Sequence, residues 1–447
     1  MKEIQKDAQD LKEASQVTKT SQVLNERQQD ISYSKSARST LLDQKAVSEA
    51  KNQDTRPSGW SDILPYFLPF VVFAFMAYSE FKYGNPFVIV WLAYVVIPIC
   101  DYLLPVDHKN LSEVQVRAFE KDKRFLIPVY LTWLLDVCIY FSILYFVSIG
   151  KIAQTPASFV LYVVSYAQPG AINAVVGHEL LHRREKVHKI FGTLAYSKML
   201  YSHFLVQHIV SHHKKVATPD DPSTARMNES LYDFYWRALP DSYVEVWNIE
   251  KQRLERENVS PFNPIRNRLL LFNFGHLVWL GIVYQFFGAY TVVFHLAYSL
   301  ITTMMLEAVN YLEHYGLLRK KDANGNYESV SIKHSFNAPQ VVTNLILFKL
   351  QRHSDHHAYA YKPYQILDSY PESPMLPYGY SISLVLSFFP YIWKKVHNPI
   401  AEATNNDTKI SEEVRQDMEK WILGTLIGVS IVLTYITFFV IGFTPRE

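Results

Sequence analysis

Nine histidines stand in four short cassettes: His178 and His182 in HELLH, His208, His212 and His213 in HIVSHH, His314 in NYLEHYGL, and His353, His356 and His357 in LQRHSDHHA. Residues four apart share one helix face, so His178 and His182 can aim at one metal, as can His208 with His212. Adjacent residues diverge by about 100° on a helix, so His212 and His213 can serve different ions. The arrangement predicts two metals rather than one. Imidazole suits iron, copper, zinc and nickel alike, and cysteine is absent from the cassettes.

Carboxylates flank the histidines. Glu179, Glu313 and Asp355 each adjoin a cassette histidine, and Asp220 and Asp221 lie in a PDDP loop. Each can accept an imidazole N–H and so fix its tautomer and orientation. Asp220 and Asp221 have the plainer alternative of capping a helix start. HELLH also satisfies the HExxH pattern of zinc peptidases, with Glu179 as general base. Such a site takes three protein ligands and one open water position, which leaves six cassette histidines without a purpose. The lone histidines, His108, His188, His276, His295, His334 and His397, are read as ordinary surface, capping or packing residues.

Long apolar runs must position these cassettes. Asp62 to Phe81 and Phe87 to Leu104 are of membrane-spanning length and are separated by the turn residues Gly84, Asn85 and Pro86. Further pairs run from Phe125 to Val147 with Ala157 to Val176, and from Leu269 to Phe287 with Tyr290 to Val309. The expected fold class is therefore an all-α integral membrane protein, with six transmembrane helices in three hairpins. A further run, Trp421 to Phe443, is long enough to span as an extra C-terminal hydrophobic helix. Lys109, Arg117, Lys121, Lys123 and Arg124 crowd one short loop, whereas the opposite side holds little beyond Lys82 and Lys151. The positive-inside rule then places that loop and every cassette on the cytosolic side, as a histidine-rich cap.

The expected division is a polar, disordered tail over 1–58, a membrane domain over 59–400, and a polar linker with the hydrophobic helix over 401–447. Acidic Glu3, Asp7, Asp10 and Glu13 near Met1 argue against a mitochondrial transit peptide, and no signal peptide is visible. A net charge of +2 argues against a nucleic-acid partner. Cys100 and Cys138 sit inside apolar runs, so they supply neither a zinc ribbon, a rubredoxin-like iron site nor a disulfide framework, and both are read as packing residues.

The layout HELLH, HIVSHH and HSDHH resembles the membrane-bound desaturase and hydroxylase superfamily. NYLEHYGL, LQRHSDHHA and VATPDDPSTAR (Val216 to Arg226) are more specific and look like the signatures of the alkane 1-monooxygenase family. The likeness continues through Tyr364-Gln365, the LPYGY run from Leu376 to Tyr380, and Trp393-Lys394-Lys395, and covers about residues 60–400. It implies that the nine histidines bind two iron ions, with His203 outside the ligand set. It also implies that dioxygen is the co-substrate and that the terminal C–H of an alkane or alkyl chain is hydroxylated. The competing activities are a lipid or sterol desaturase, a hydroxylase of fatty acids or methyl-aromatics, and a membrane subunit that kept the fold without turnover. An unactivated C–H bond demands an oxidant stronger than any side chain, so metal and dioxygen carry the chemistry. Electrons must arrive from a separate rubredoxin-like or equivalent protein at the cap, where Arg226 and Arg352 either balance the carboxylates or dock an acidic carrier. Substrate and lipid meet the apolar helices. The chain departs from the family pattern at Gln207 and Ser211, where glutamate and glycine are expected, and at Arg183, where lysine is. Gln207 still offers an acceptor to a neighbouring imidazole.

Overall fold

The computed structural model describes residues 56–445. Its large compact unit comprises Pro57–Asn110 with Val116–Glu447, and the description below concerns that unit. All but the last three residues of the expected 1–58 tail lie outside the described residues.

The helices that build the site are α1 (Trp60–Tyr83), α2 (Val88–Leu103), α3 (Lys123–Ser148), α4 (Pro156–Leu181), α5 (Lys186–Lys198), α6 (Leu231–Arg256), α7 (Arg268–His314), α8 (His353–Ala358), α9 (Gly379–Ser387) and α10 (Glu412–Ile441). Five of them, α1, α3, α4, α7 and α10, are long and apolar enough to cross a membrane, and α2 is a shorter apolar helix. Their outward faces carry large apolar side chains in the open, including Phe81 (79% exposed), Phe286 (75%) and Phe439 (76%). A water-soluble surface does not sustain such a belt, whereas a lipid-facing one does. The protein is an integral membrane protein. Cys138 lies exposed on α3 within this belt, so it is not the packing residue expected from its apolar run.

Local sequence sets the boundaries. Gly84 closes α1 in the left-handed conformation (φ +68°), where a side chain would be strained, and so makes the turn into α2. Thr155 and Ser158 form a capping box ahead of α4, with Pro156 at the first helical position. The runs expected as two separate spans after residue 268 form one helical stretch of 47 residues, interrupted at Gly288 (φ +82°, ψ 169°). That break separates segments 268–287 and 289–314, ~30 and ~39 Å long at the usual helical rise.

The bundle is pinned near the cassettes by a close crossing and a buried polar tie. A β-carbon on Gly192 of α5 would stand 2.8 Å from the Gly177 carbonyl of α4, so the two backbones touch at the residue before His178. Small residues allow such approach between apolar helices. Lys198 of α5 pairs with Asp136 of α3, which also accepts a 2.6 Å hydrogen bond from Asn173 Nδ2 of α4. The C-terminal helix α10 lies along α2, where Trp91 Nε1 donates to Thr434 at 3.0 Å.

Candidate metal centre

Each cassette sits at a helix end or on a short helix beyond the apolar spans. His178 occupies the last turn of α4 and His182 is its C-cap; His314 ends α7; His353, His356 and His357 lie on α8. His208 and His212 belong to a π-helical turn, Gln207–His212, followed directly by His213.

These elements bring all nine histidines together in two abutting groups. His178, His182, His208, His213 and His356 form one, and His212, His314, His353 and His357 the other; within each, one ligand atom per residue lies within 4.8 Å of every other. The rings of His213 and His357 meet across the boundary with centroids 4.5 Å apart. His203 and the lone histidines fall outside both groups. His276 instead contacts Ser202 Oγ at 2.8 Å, His295 contacts the Tyr140 hydroxyl at 2.9 Å, and His397 stacks on Trp393.

One pairing differs from the helical expectation. His208 shares its group with His213, not with His212. In a π-turn the backbone repeats at i to i+5, so the residue five along, rather than four, returns to the same face. The ordinary α-helices behave as their spacing predicts: His178 stays with His182 and His353 with His357, while neighbouring His356 and His357 part.

The donor geometry fits metal ions. His208 Nε2 stands 2.8 Å from His178 Nε2 and 3.1 Å from those of His182 and His213. His353 Nε2 stands 3.2 Å from His314 Nε2 and 3.0 Å from His357 Nε2. Metal–nitrogen bonds of ~2.1 Å meeting at right angles separate their nitrogens by ~3.0 Å. Nε2 of His212 and of His356 is buried with no hydrogen-bond partner, an arrangement that is costly unless something else occupies the lone pair. Burial holds His208, His213, His353, His356 and His357 far below the ordinary imidazole pKa, with neighbouring imidazoles adding to the effect, and brings His182 down to about 3. They are therefore neutral donors at physiological pH.

The flanking carboxylates divide. Asp221 Oδ2 accepts from His212 Nδ1 at 2.9 Å and from Thr224 Oγ1 at 2.7 Å, both inside the protein, so it orients that ring as expected; its neighbour Asp220 is exposed. Glu313 Oε2 lies 3.1 Å from His353 Nε2. Glu179 and Asp355, by contrast, reach no imidazole. Glu179 accepts from Arg183 Nε at 2.8 Å, and Asp355 pairs with Lys362 at 2.8 Å and accepts from the Asp368 N–H. A buried carboxylate takes a cation when one is within reach, and sequence adjacency to a histidine does not reveal that competitor. Gln207 likewise faces Ser223 Oγ (3.0 Å), not an imidazole. Arg352 is 3% exposed, held by Asp107 and the Leu367 carbonyl, so it docks no carrier; Arg226 is exposed.

An apolar cavity of about 100 Å³ lies between α1, α2, α4, α7 and α9. Its wall includes Ile89, Ile172, Val175, Val309, Leu312 and Tyr380. Val175 precedes His178 by one helical turn, Leu312 lies two residues before His314, and the Tyr380 hydroxyl donates to Glu313 at 2.7 Å. Tyr380 drew no role from the sequence, although it ends the LPYGY run.

A family profile described as fatty acid desaturase matches residues 152–381, the stretch that carries every cassette. Alkane 1-monooxygenase 2 of Alcanivorax borkumensis is 37% identical over 77% of this chain and 89% of its own length. The chain belongs to the alkane 1-monooxygenase family. Another member of this family, alkane 1-monooxygenase of Pseudomonas putida, is 33% identical over 73% of the chain and 84% of its own length. The xylene/toluene monooxygenase hydroxylase component of Pseudomonas putida is 26% identical over 74% and 87%. Membership makes the protein an oxidoreductase of the alkane 1-monooxygenase type, with a membrane setting and a hydrophobic substrate.

Proposed function

We propose that this chain is a membrane di-iron monooxygenase that inserts one oxygen atom of dioxygen into the terminal C–H bond of an alkane or alkyl chain, giving a 1-alkanol. The observation that carries this reading is the convergence of nine histidines into two all-histidine groups, in a helical bundle that also encloses an apolar cavity. His178, His182, His208, His213 and His356 hold one iron, and His212, His314, His353 and His357 the other. Bound iron supplies dioxygen activation and the one-electron steps that no side chain can perform. The protein contributes placement. Val175, Ile172, Val309 and Leu312 receive the end of the alkyl chain and keep water from it. Asp221 fixes the His212 tautomer with Nδ1 protonated and Nε2 turned to the metal. Glu179 and Asp355 act at one remove, clamping Arg183 and Lys362 so that α4 and α8 keep their histidines in place.

The membrane domain covers 59–400, with six crossings in three hairpins: α1 with α2, α3 with α4, and the segments of α7 on either side of Gly288. The polar N-terminal tail and the extra C-terminal helix are additions to it. The loop basic residues support a cytosolic cap, at which a separate rubredoxin-like protein delivers electrons. The test is iron content of detergent-purified protein together with product analysis after octane or hexadecane, ¹⁸O₂ and a reduced rubredoxin system. About two irons per chain and labelled 1-alkanol are expected. Two irons with a desaturated or differently hydroxylated lipid would move the substrate, and a folded protein without iron would sink the reading.

A further inference from the structure

We propose that Glu313 supplies a carboxylate ligand to the four-histidine group, and that Tyr380, which lines the apolar cavity, holds it there. The inference rests on the di-iron reading above and concerns an additional donor. Glu313 is 2% exposed and adjoins His314 at the end of α7. Its Oε2 stands 3.1 Å from His353 Nε2, between the 3.0 and 3.2 Å that separate that nitrogen from Nε2 of His357 and His314. The oxygen thus abuts one ligand atom of the four-histidine group. Its other oxygen is taken by the Tyr380 hydroxyl at 2.7 Å.

The charge argument is independent of the spacing. Three buried carboxylates adjoin a cassette histidine in sequence, and two of them carry their own cation, Arg183 for Glu179 and Lys362 for Asp355. Among the described residues no lysine or arginine pairs with Glu313; its partners are a phenol and an imidazole. A buried carboxylate without a countercharge is costly by several kcal/mol, and a divalent ion in the adjoining group supplies that charge. With Glu313 the four-histidine metal has as many protein donors as its neighbour. It also has two carboxylates, one ligating and one behind His212, whereas Glu179 near the other metal is neutralised by arginine. The two irons are then chemically unlike. Tyr380 is a positioning residue: its ring lines the cavity, and its hydroxyl fixes which oxygen of Glu313 faces the metal.

The experiment is ⁵⁷Fe Mössbauer spectroscopy and chelator withdrawal on the detergent-purified holoprotein, comparing wild type, Glu313→Gln and Tyr380→Phe. Wild type should show two inequivalent ferrous sites. In Glu313→Gln one site should shift and be withdrawn at ~10–100-fold lower chelator concentration, the range for losing a supporting group, while the other is unchanged. Tyr380→Phe should shift the same site with both irons retained. Spectra that superimpose on wild type in both variants would overturn the proposal. Should the glutamine variant fail to fold, Tyr380→Phe, which removes a single hydroxyl, decides alone. A wild-type protein that lacks two irons would instead remove the reading on which the proposal rests.

Discussion

Replacing Asp221 by asparagine tests whether orientation of one imidazole matters to the centre. The carboxylate is buried and accepts three donors: His212 Nδ1 at 2.9 Å, Thr224 Oγ1 at 2.7 Å and the Ser223 N–H at 3.2 Å. Asparagine preserves the volume but has one oxygen for two accepting positions. With that oxygen toward His212, its NH₂ opposes the Ser223 N–H; flipped, it opposes the His212 N–H. Either orientation leaves one buried donor unpaired, at about 1–3 kcal/mol, and removes the charge that makes the imidazole a stronger donor. The expected loss in iron affinity is ~10–100-fold, which is ~1.4–2.8 kcal/mol, and it should fall on the four-histidine group. Titration with a ferrous chelator, alongside circular dichroism to verify the fold, measures it. Asp220→Asn, at the exposed neighbour, is the matched control and should leave retention unchanged. Equal iron retention in folded Asp221→Asn and wild type would refute the reasoning.

Further perturbations separate ligands from bystanders. His314→Ala and His356→Ala should each abolish hydroxylation and lower iron content, one from each group, whereas His276→Ala, whose ring meets Ser202, should do neither; equal loss in all three by metal analysis would discredit the ligand set. Gln207→Glu should retain iron, because the Ser223 hydroxyl can turn to donate to the new carboxylate; iron loss on this change would mean that the side chain faces a histidine after all. Acid should destabilise the metal-free protein. His182 is held at about 3 when folded, so between that value and the ordinary imidazole value near 6.5 the unfolded chain binds more protons, and stability falls as pH is lowered through that window. Thermal unfolding of chelator-treated protein should show a falling midpoint below about pH 6.5, and a flat or rising one would contradict the sign.

Much of the centre is legible in the cassettes because helix geometry is local. His178 with His182 needs only an α-helical turn, and LQRHSDHHA needs one more. What escapes the sequence is competition for partners. Glu179 and Asp355 look like imidazole acceptors until Arg183 and Lys362 arrive, the latter from a loop beyond α8. Arg352 looks like a surface cation until Asp107, 245 residues away in the chain, buries it. The apolar runs likewise announce membrane helices, and the boundary expected between Phe287 and Tyr290 coincides with the break at Gly288, although the two segments otherwise form one continuous stretch.

The π-turn has a consequence for how insertions are tolerated. HIVSHH and HSDHH differ by one residue between the first histidine and the final pair, yet both send their outer histidines to one group and the middle histidine to the other. A π-turn is an α-turn that has absorbed one extra residue. The two cassettes are thus the same three-pronged fork, written once with the insertion and once without, and facing opposite histidine groups. A chain that lost Ile209 or Val210 would return this segment to regular helix with its outer prongs still aligned. Loss of a residue from the α8 cassette would find no such slack.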